Sequence, residues 1–251
     1  MILDKFSLAG KVAIVTGSDT GLGQGFSKAF VEAGAKVLGV SNMPSTATQE
    51  MLGADNFQFI QADLSTLDPI DNIIKTALEK FGHIDILVNN AGVIKREDTI
   101  DFSVESWDLV MNVNLRTLFF LSQACAKQFV KQGNGGKIIS VASMLSFQGG
   151  IRVPSYTASK SAVKGITMTM ANEWASKGIN VNAIAPGYMA TNNTKALRAD
   201  ADRSEAILDR IPAGRWGTPD DIMGAAVFLA SSASDYVNGF TLAVDGGWLG
   251  R

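Results

Sequence analysis

Tyr156 and Lys160 stand four residues apart, so on a helix they share one face about one turn from each other. An ammonium that close to a phenol favours the phenolate and lowers the tyrosine pKa from ~10. A tyrosine poised that way exchanges protons with an alcohol or a ketone near neutral pH. The spacing alone is common by chance. Its place makes it informative, because it falls thirteen residues after Ser143, which itself lies just past the apolar run KIISV at 137–141. A second group, Asn89, Asn90, Ala91 and Gly92, closes the run IDILV at 84–88. Small and amide residues there suit a backbone lying against a ligand, since ligands of open α/β sheets bind at the carboxyl ends of strands. A third group is the turn Thr16-Gly17-Ser18-Asp19-Thr20-Gly21-Leu22-Gly23, which follows KVAIV at 11–15. Its glycines allow a tight turn and close approach to a pyrophosphate, and a following helix would aim free N–H groups and a positive dipole at the anion. The spacing is G-x-x-x-G-x-G rather than the commoner G-x-G-x-x-G.

The elements that must hold these groups are legible as alternating strands and helices. KVAIV (11–15), KVLGV (36–40), NFQFI (56–60), IDILV (84–88), KIISV (137–141), INVNAIA (179–185) and FTLAV (240–244) are short and nearly continuous in apolar residues. Strands of a parallel sheet covered by helices on both faces have that composition. Helix-like periodicity falls at 22–33, 69–80, 104–132, 155–177 and 219–230. The expected fold is therefore a doubly wound, Rossmann-type parallel seven-stranded sheet with helices on both faces, in a single α/β domain over 1–251. Two regions break the rhythm. Residues 41–55 read as a loop with a weak short helix, and 187–218 hold a mixed segment, 191–210, that is either a helical flap near a site or a surface insertion.

Composition removes several classes of function. The chain of 251 residues has 22 Lys+Arg against 24 Asp+Glu, a net charge of −2, so nothing electrostatic favours nucleic acid. One Cys and one His exclude a disulfide framework, a structural zinc site and a His-based triad, and no metal is expected. No apolar run reaches roughly 18 residues, so no membrane span is expected. The opening MILDKFSLAGK lacks a cationic stretch leading into a long apolar one, which points to a cytoplasmic protein.

The motifs TGSDTGLG, NNAG, MNVN with Asn114, Ser143, YTASK and Pro186-Gly187 fall in one order along the whole chain. Together they resemble the short-chain dehydrogenase/reductase family. The finer runs FGHIDILVNNAG, GGKIISVASMLSFQGGIRVPSYTASK, NVNAIAPGYMATNNT and ILDRIPAGRWG are similar to members acting on keto-deoxy sugar acids. That resemblance implies an oxidoreductase in which Tyr156 is the acid/base and Ser143 stabilises the reacting oxygen. It gives Lys160 the nicotinamide ribose and Asn114 a water leading from Lys160 to solvent. It places Gly17, Gly21 and Gly23 at the pyrophosphate, Asp63 at adenine, Asn90 at a ribose, and Pro186, Gly187 and Thr191 at the nicotinamide carboxamide. Thr20, Leu22, Leu64, Ala91, Gly92 and Met189 complete the expected cofactor contacts. A homotetramer is implied as well, with helix 104–132 and the tail FTLAVDGGWLGR as subunit contacts.

Cofactor choice depends on the strand end at 36–40, where Ser41-Asn42 offers neither a carboxylate for a ribose 2′-hydroxyl nor a cation for a 2′-phosphate. Asp19 would repel extra negative charge if it faced that ribose, and NAD is the expectation. Asp63 is either the adenine contact or a cap for the helix beginning near Pro69. A sugar acid needs its carboxylate held by Arg or by backbone N–H groups. Arg152 is the first candidate, with Gln148, Lys95 and Arg96 behind it and an ordinary solvated or ion-paired role as its alternative. Asn192 and Asn193 either meet sugar hydroxyls or form a turn. Competing readings are oxidation of gluconate, reduction of 3-oxoacyl chains, and a dinucleotide-binding protein without turnover. The last is disfavoured because Ser143, Tyr156 and Lys160 all stand.

Overall fold

A computed structural model describes all 251 residues. The apolar runs form β1 (Val12–Thr16), β2 (Lys36–Ser41), β3 (Phe57–Gln61), β4 (Ile86–Asn89), β5 (Gly136–Val141), β6 (Ile179–Pro186) and β7 (Thr241–Val244). They pair in parallel in the order β3-β2-β1-β4-β5-β6-β7. The helices are α1 (Gly21–Glu32), α2 (Thr46–Leu52), α3 (Ile70–Phe81), α4 (Val104–Met111), α5 (Leu118–Gln132), α6 (Pro154–Trp174), α7 (Lys195–Ala199), α8 (Ala201–Leu208) and α9 (Pro219–Ala230). None is long and apolar enough to cross a membrane.

Strand alternation sorts the core into two layers. Ala13, Val15, Val37, Ile86, Val88 and Ile139 face Phe26 and Phe30 of α1 and Ile222, Ala226 and Leu229 of α9. Ile14, Leu38, Val40, Leu87, Ile138 and Val181 face Ile73 and Ala77 of α3, Leu121, Cys125 and Phe129 of α5 and Met170 of α6. Each large apolar side chain so enclosed contributes ~1.5–3 kcal/mol, which fixes the sheet as a rigid base for the loops at its carboxyl edge. Burial pushes the Cys125 thiol well above its usual range, so Cys125 is a core residue. His83 Nε2 lies 3.0 Å from Asp85 Oδ2 and 3.2 Å from the Gly10 carbonyl, a turn contact far from any strand's carboxyl end.

One detail departs from the sequence reading. The helix expected over 104–132 is interrupted by a π-helical turn, Asn112–Thr117, which separates α4 from α5. The short helix expected within 41–55 is α2, held by Thr48 Oγ1 donating to the Ser18 carbonyl at 2.8 Å and by Gln24 Nε2 donating to Thr48 Oγ1 at 3.0 Å. The cap role that was the alternative reading of Asp63 is absent. Its Oδ1 accepts from the Ser65 N–H at 2.9 Å, and α3 starts after Pro69 without a side-chain cap.

Candidate active site

The strand order reverses between β1 and β4, and the crevice opening there is where a doubly wound sheet takes its ligand. A cleft of about 640 Å³ occupies that place. One end is made of backbone. Gly17 and Gly21 have φ of +66° and +59°, values that suit glycine, and a Cβ on Gly23 would lie 1.9 Å from the Gly17 carbonyl oxygen. The turn thus closes on itself only with glycine at 23. Helix α1 begins there with no side chain capping it, leaving its first N–H groups free toward the cleft. Thr16 and Asn90 hold the turn. Thr16 Oγ1 accepts from the Asn90 and Ala91 N–H groups at 2.9 Å each, and Asn90 Nδ2 donates to the Thr16 and Gly17 carbonyls at 2.9 and 3.2 Å. Asn90, expected at a ribose, lines the cleft and gives its amide nitrogen to the turn.

Asp19 supplies a carboxylate that the end of β2 lacks in sequence. Its Oδ1 accepts from Ser41 Oγ at 2.5 Å, so the acid from the glycine turn sits beside the last residue of β2. Thr20, Leu22, Ser41, Asp63, Leu64, Ala91 and Gly92 line this end with them. Pro186, Gly187, Met189 and Thr191 line the far wall, where Met189 bridges to Gly217 and the Ala190 N–H donates to the Gly217 carbonyl at 2.7 Å.

The proton-transfer groups meet in the middle of the cleft. Ser143 follows β5 and caps a short turn, its Oγ accepting from the Leu145 N–H at 3.1 Å. Tyr156 and Lys160 lie on one face of α6, with Lys160 Nζ 5.6 Å from the tyrosine ring centroid. Lys160 is buried and donates to the Val141 carbonyl at 2.6 Å, and burial brings its pKa down to about 8. The Tyr156 phenol shifts opposite to expectation. Desolvation raises it above its ordinary value, and the Ser143 hydroxyl and then the Arg96 guanidinium act in the lowering sense. Asn114 lies within the π turn, with Oδ1 accepting from the Val93 N–H at 2.8 Å and Nδ2 donating to the Val93 carbonyl at 2.9 Å. A Cβ on Gly92 would stand 3.3 Å from Asn114 Oδ1 and 3.7 Å from Lys160 Nζ, so both polar groups converge on one small space.

The substrate end corrects one expectation. Arg152 points away from the cleft, with Nε 2.7 Å from Asp98 Oδ1, and its own φ of +63° sets that direction. The exposed pair satisfies the guanidinium in solvent. Lys95 also lies outside the cleft, whereas Arg96, Gln148, Asn192 and Asn193 line it. So do Arg203, Arg210, Tyr188 and Trp248, which the sequence did not single out as site residues. Trp248 belongs to the tail expected at a subunit contact, yet it is 4% exposed within its own chain. The cations of 191–210 within a segment already suspected as a flap were the one sequence signal available for Arg203.

A doubly wound sheet with a glycine turn at its switch point and a Ser-Tyr-Lys group at its carboxyl edge defines a dinucleotide-dependent oxidoreductase. The chain belongs to the short-chain dehydrogenase/reductase family. A family model described as enoyl-(acyl carrier protein) reductase matches residues 17–249. A 2-dehydro-3-deoxy-D-gluconate 5-dehydrogenase of Escherichia coli (strain K12) is 64% identical over 253 residues, covering 100% of both chains. An Agrobacterium tumefaciens protein described as a 2-deoxy-D-gluconate 3-dehydrogenase, solved with NADP, is 53% identical with a TM-score of 0.90 over 98% of this chain and 99% of that one. A gluconate 5-dehydrogenase from Burkholderia cenocepacia, solved with NADP and tartrate, is 37% identical with a TM-score of 0.93 and full coverage of both chains.

Proposed function

We propose that this chain interconverts a secondary alcohol and a ketone on 2-dehydro-3-deoxy-D-gluconate or a closely related keto-deoxy sugar acid, using NAD. The observation that carries the chemistry is the meeting of Ser143, Tyr156 and Lys160 at the open edge of the sheet, above a glycine turn that a single Cβ would block. That turn, the free first N–H groups of α1 and the small residues Ala91 and Gly92 fit a dinucleotide. When bound, the nicotinamide supplies the hydride acceptor or donor.

The chain's own residues manage the proton. In oxidation Tyr156 takes it from the substrate hydroxyl, and in reduction it returns one to the carbonyl oxygen. Ser143 donates to the same oxygen as charge develops there. Lys160 holds the ribose side of the nicotinamide and its cation favours the phenolate. Its convergence with Asn114 beside Gly92 supports a water between them as the exit toward solvent. NAD is favoured because the end of β2 presents Asp19 and Ser41, an acceptor pair suited to a ribose diol and repulsive to a phosphate. The homotetramer and cytoplasmic site implied by the resemblance belong to the same proposal. Half-exposed Trp107 and Phe120 on α4 and α5 are apolar faces that another copy would cover.

The test is reduced-nicotinamide absorbance with purified protein, 2-dehydro-3-deoxy-D-gluconate or gluconate, and either NAD or NADP. Turnover of the keto-deoxy acid with NAD is the expected result, and Tyr156→Phe is expected to lose ~10²–10⁴-fold in kcat while still binding the dinucleotide. Preference for NADP overturns the reading of Asp19, preference for gluconate overturns the substrate, and near-normal turnover in Tyr156→Phe overturns the mechanism.

A further inference from the structure

Trp248 ties together the substrate end of the cleft. Its indole is buried, and Nε1 donates to Gln148 Oε1 at 3.2 Å, five residues after the catalytic hydroxyl of Ser143. Tyr188 packs edge-on against it with ring centroids 4.8 Å apart. Ile207 and Ile211 form a buried apolar cluster with Trp248 and Met144, and between those two isoleucines in sequence stands Arg210. The Arg210 Cζ lies 4.0 Å from the Trp248 ring centroid, a stacking distance. The tail adds one more tie, from Arg251 Nη1 to the Asp209 carbonyl at 2.8 Å. Arg210 is thus an exposed cation with a fixed base.

We propose that Arg210, stacked on Trp248, clamps the carboxylate of the substrate, and that the C-terminal tail positions it. This inference rests on the sugar-acid reading above. In a 2-keto-3-deoxy acid oxidised near the far end of its carbon chain, the carboxylate lies away from the reacting hydroxyl. The clamp must then stand away from Tyr156. Arg96 acts on the Tyr156 phenol and so belongs beside the reacting oxygen. Arg210 lines the same cleft against the aromatic cluster. Arg152 and Arg215 are each held by an aspartate at 2.7 Å, whereas Arg210 has no carboxylate in reach and its guanidinium donors are free for a ligand. A guanidinium lying on an aromatic face keeps its planar fork ordered, which suits a carboxylate accepting two parallel bonds. Trp248 is a positioning residue here.

The experiment compares the full-length protein with Arg210→Gln, Trp248→Leu and Trp248→Phe. Each is assayed on 2-dehydro-3-deoxy-D-gluconate and on a neutral deoxyhexitol, with the dinucleotide affinity and unfolding midpoint measured alongside. The expected result for Arg210→Gln is a KM for the acid raised ~10–100-fold with KM for the hexitol within about twofold. Trp248→Leu shows the same selectivity in smaller degree, and Trp248→Phe, which keeps an aromatic base, restores most of it. An equal rise for both substrates, or no rise for the acid, overturns the clamp. If the wild-type protein oxidises the hexitol and ignores the acid, the sugar-acid reading fails by itself. Calorimetric titration of the dinucleotide-loaded protein with tartrate then decides the anion subsite, because equal binding by wild type and Arg210→Gln overturns it.

Discussion

The two ends of the cleft are built in opposite ways. At the dinucleotide end the walls are backbone: a glycine turn, the first N–H groups of a helix, and carbonyls braced by Thr16 and Asn90. At the substrate end they are long side chains from four separate segments, Arg96 after β4, Gln148 after β5, Arg203 and Arg210 in and after α8, and Trp248 in the tail. The first end rests on strands whose core residues are fully enclosed. The second rests on helices of five and eight residues, in which Ile207 is the lone buried side chain. Segments with so few buried apolar contacts open at low free-energy cost. A backbone site recognises what all members of a cofactor class share, and a side-chain site is free to discriminate among substrates.

Removing the backbone feature breaks the first end most severely. Gly23→Ala places a methyl 1.9 Å from the Gly17 carbonyl oxygen, so the turn or the start of α1 must move. An overpacking cost of ~1–3 kcal/mol expressed on the cofactor raises its Kd by ~5–150-fold, while the fold and Trp248 at the substrate end stay in place. Equilibrium titration of the variant with NAD checks this, and unaltered affinity would show that the turn is not the cradle.

A middle-sized effect sharpens the boundary between the two ends, where Tyr156 and Lys160 sit. Burial brings Lys160 to about 8, so it is cationic below that pH and neutral above, while the Tyr156 phenol keeps its proton beyond its ordinary value. Ketone reduction needs that proton and that cation together. Its kcat/KM, which reports the free enzyme, is therefore full below about 8 and falls ~10-fold per pH unit above it. A profile that stays flat well past 8 would place the Lys160 charge outside the reaction.

How far the sequence could be read follows the same division. The strands were legible because continuous Val, Ile and Leu runs have few other uses, and the glycine turn because its geometry is local. The π turn at Asn112–Thr117 was not, since one extra residue in one turn leaves the apolar pattern of α4 and α5 intact. The direction of the Tyr156 shift was misjudged because spacing reveals the neighbouring lysine but not how much protein encloses the phenol. The pairing of Asp19 with Ser41 joins residues twenty-two apart, and the stacking of Arg210 on Trp248 joins residues thirty-eight apart. Contacts of that kind exist only once the sheet has brought its edges together.

The smallest expected effect belongs to Arg152, and it tests the substrate end from its outer side. The residue stands between Ser143 and Tyr156 in sequence, where a carboxylate clamp would be natural, yet φ of +63° turns its side chain to Asp98. Both partners are more than half exposed, so the ion pair is worth ~0–1 kcal/mol. The bond that shapes the loop is the Glu97 N–H donating to the Arg152 carbonyl at 3.2 Å, which any side chain preserves. Alanine keeps the left-handed strain that arginine already carries. Arg152→Ala is therefore expected to leave KM for acid and for neutral substrate within about twofold of wild type, and to lower stability by less than ~1 kcal/mol in denaturant unfolding. A selective rise in KM for the acid would mean that Arg152 swings inward during turnover, and the side-chain end of the cleft would then extend across the loop before α6.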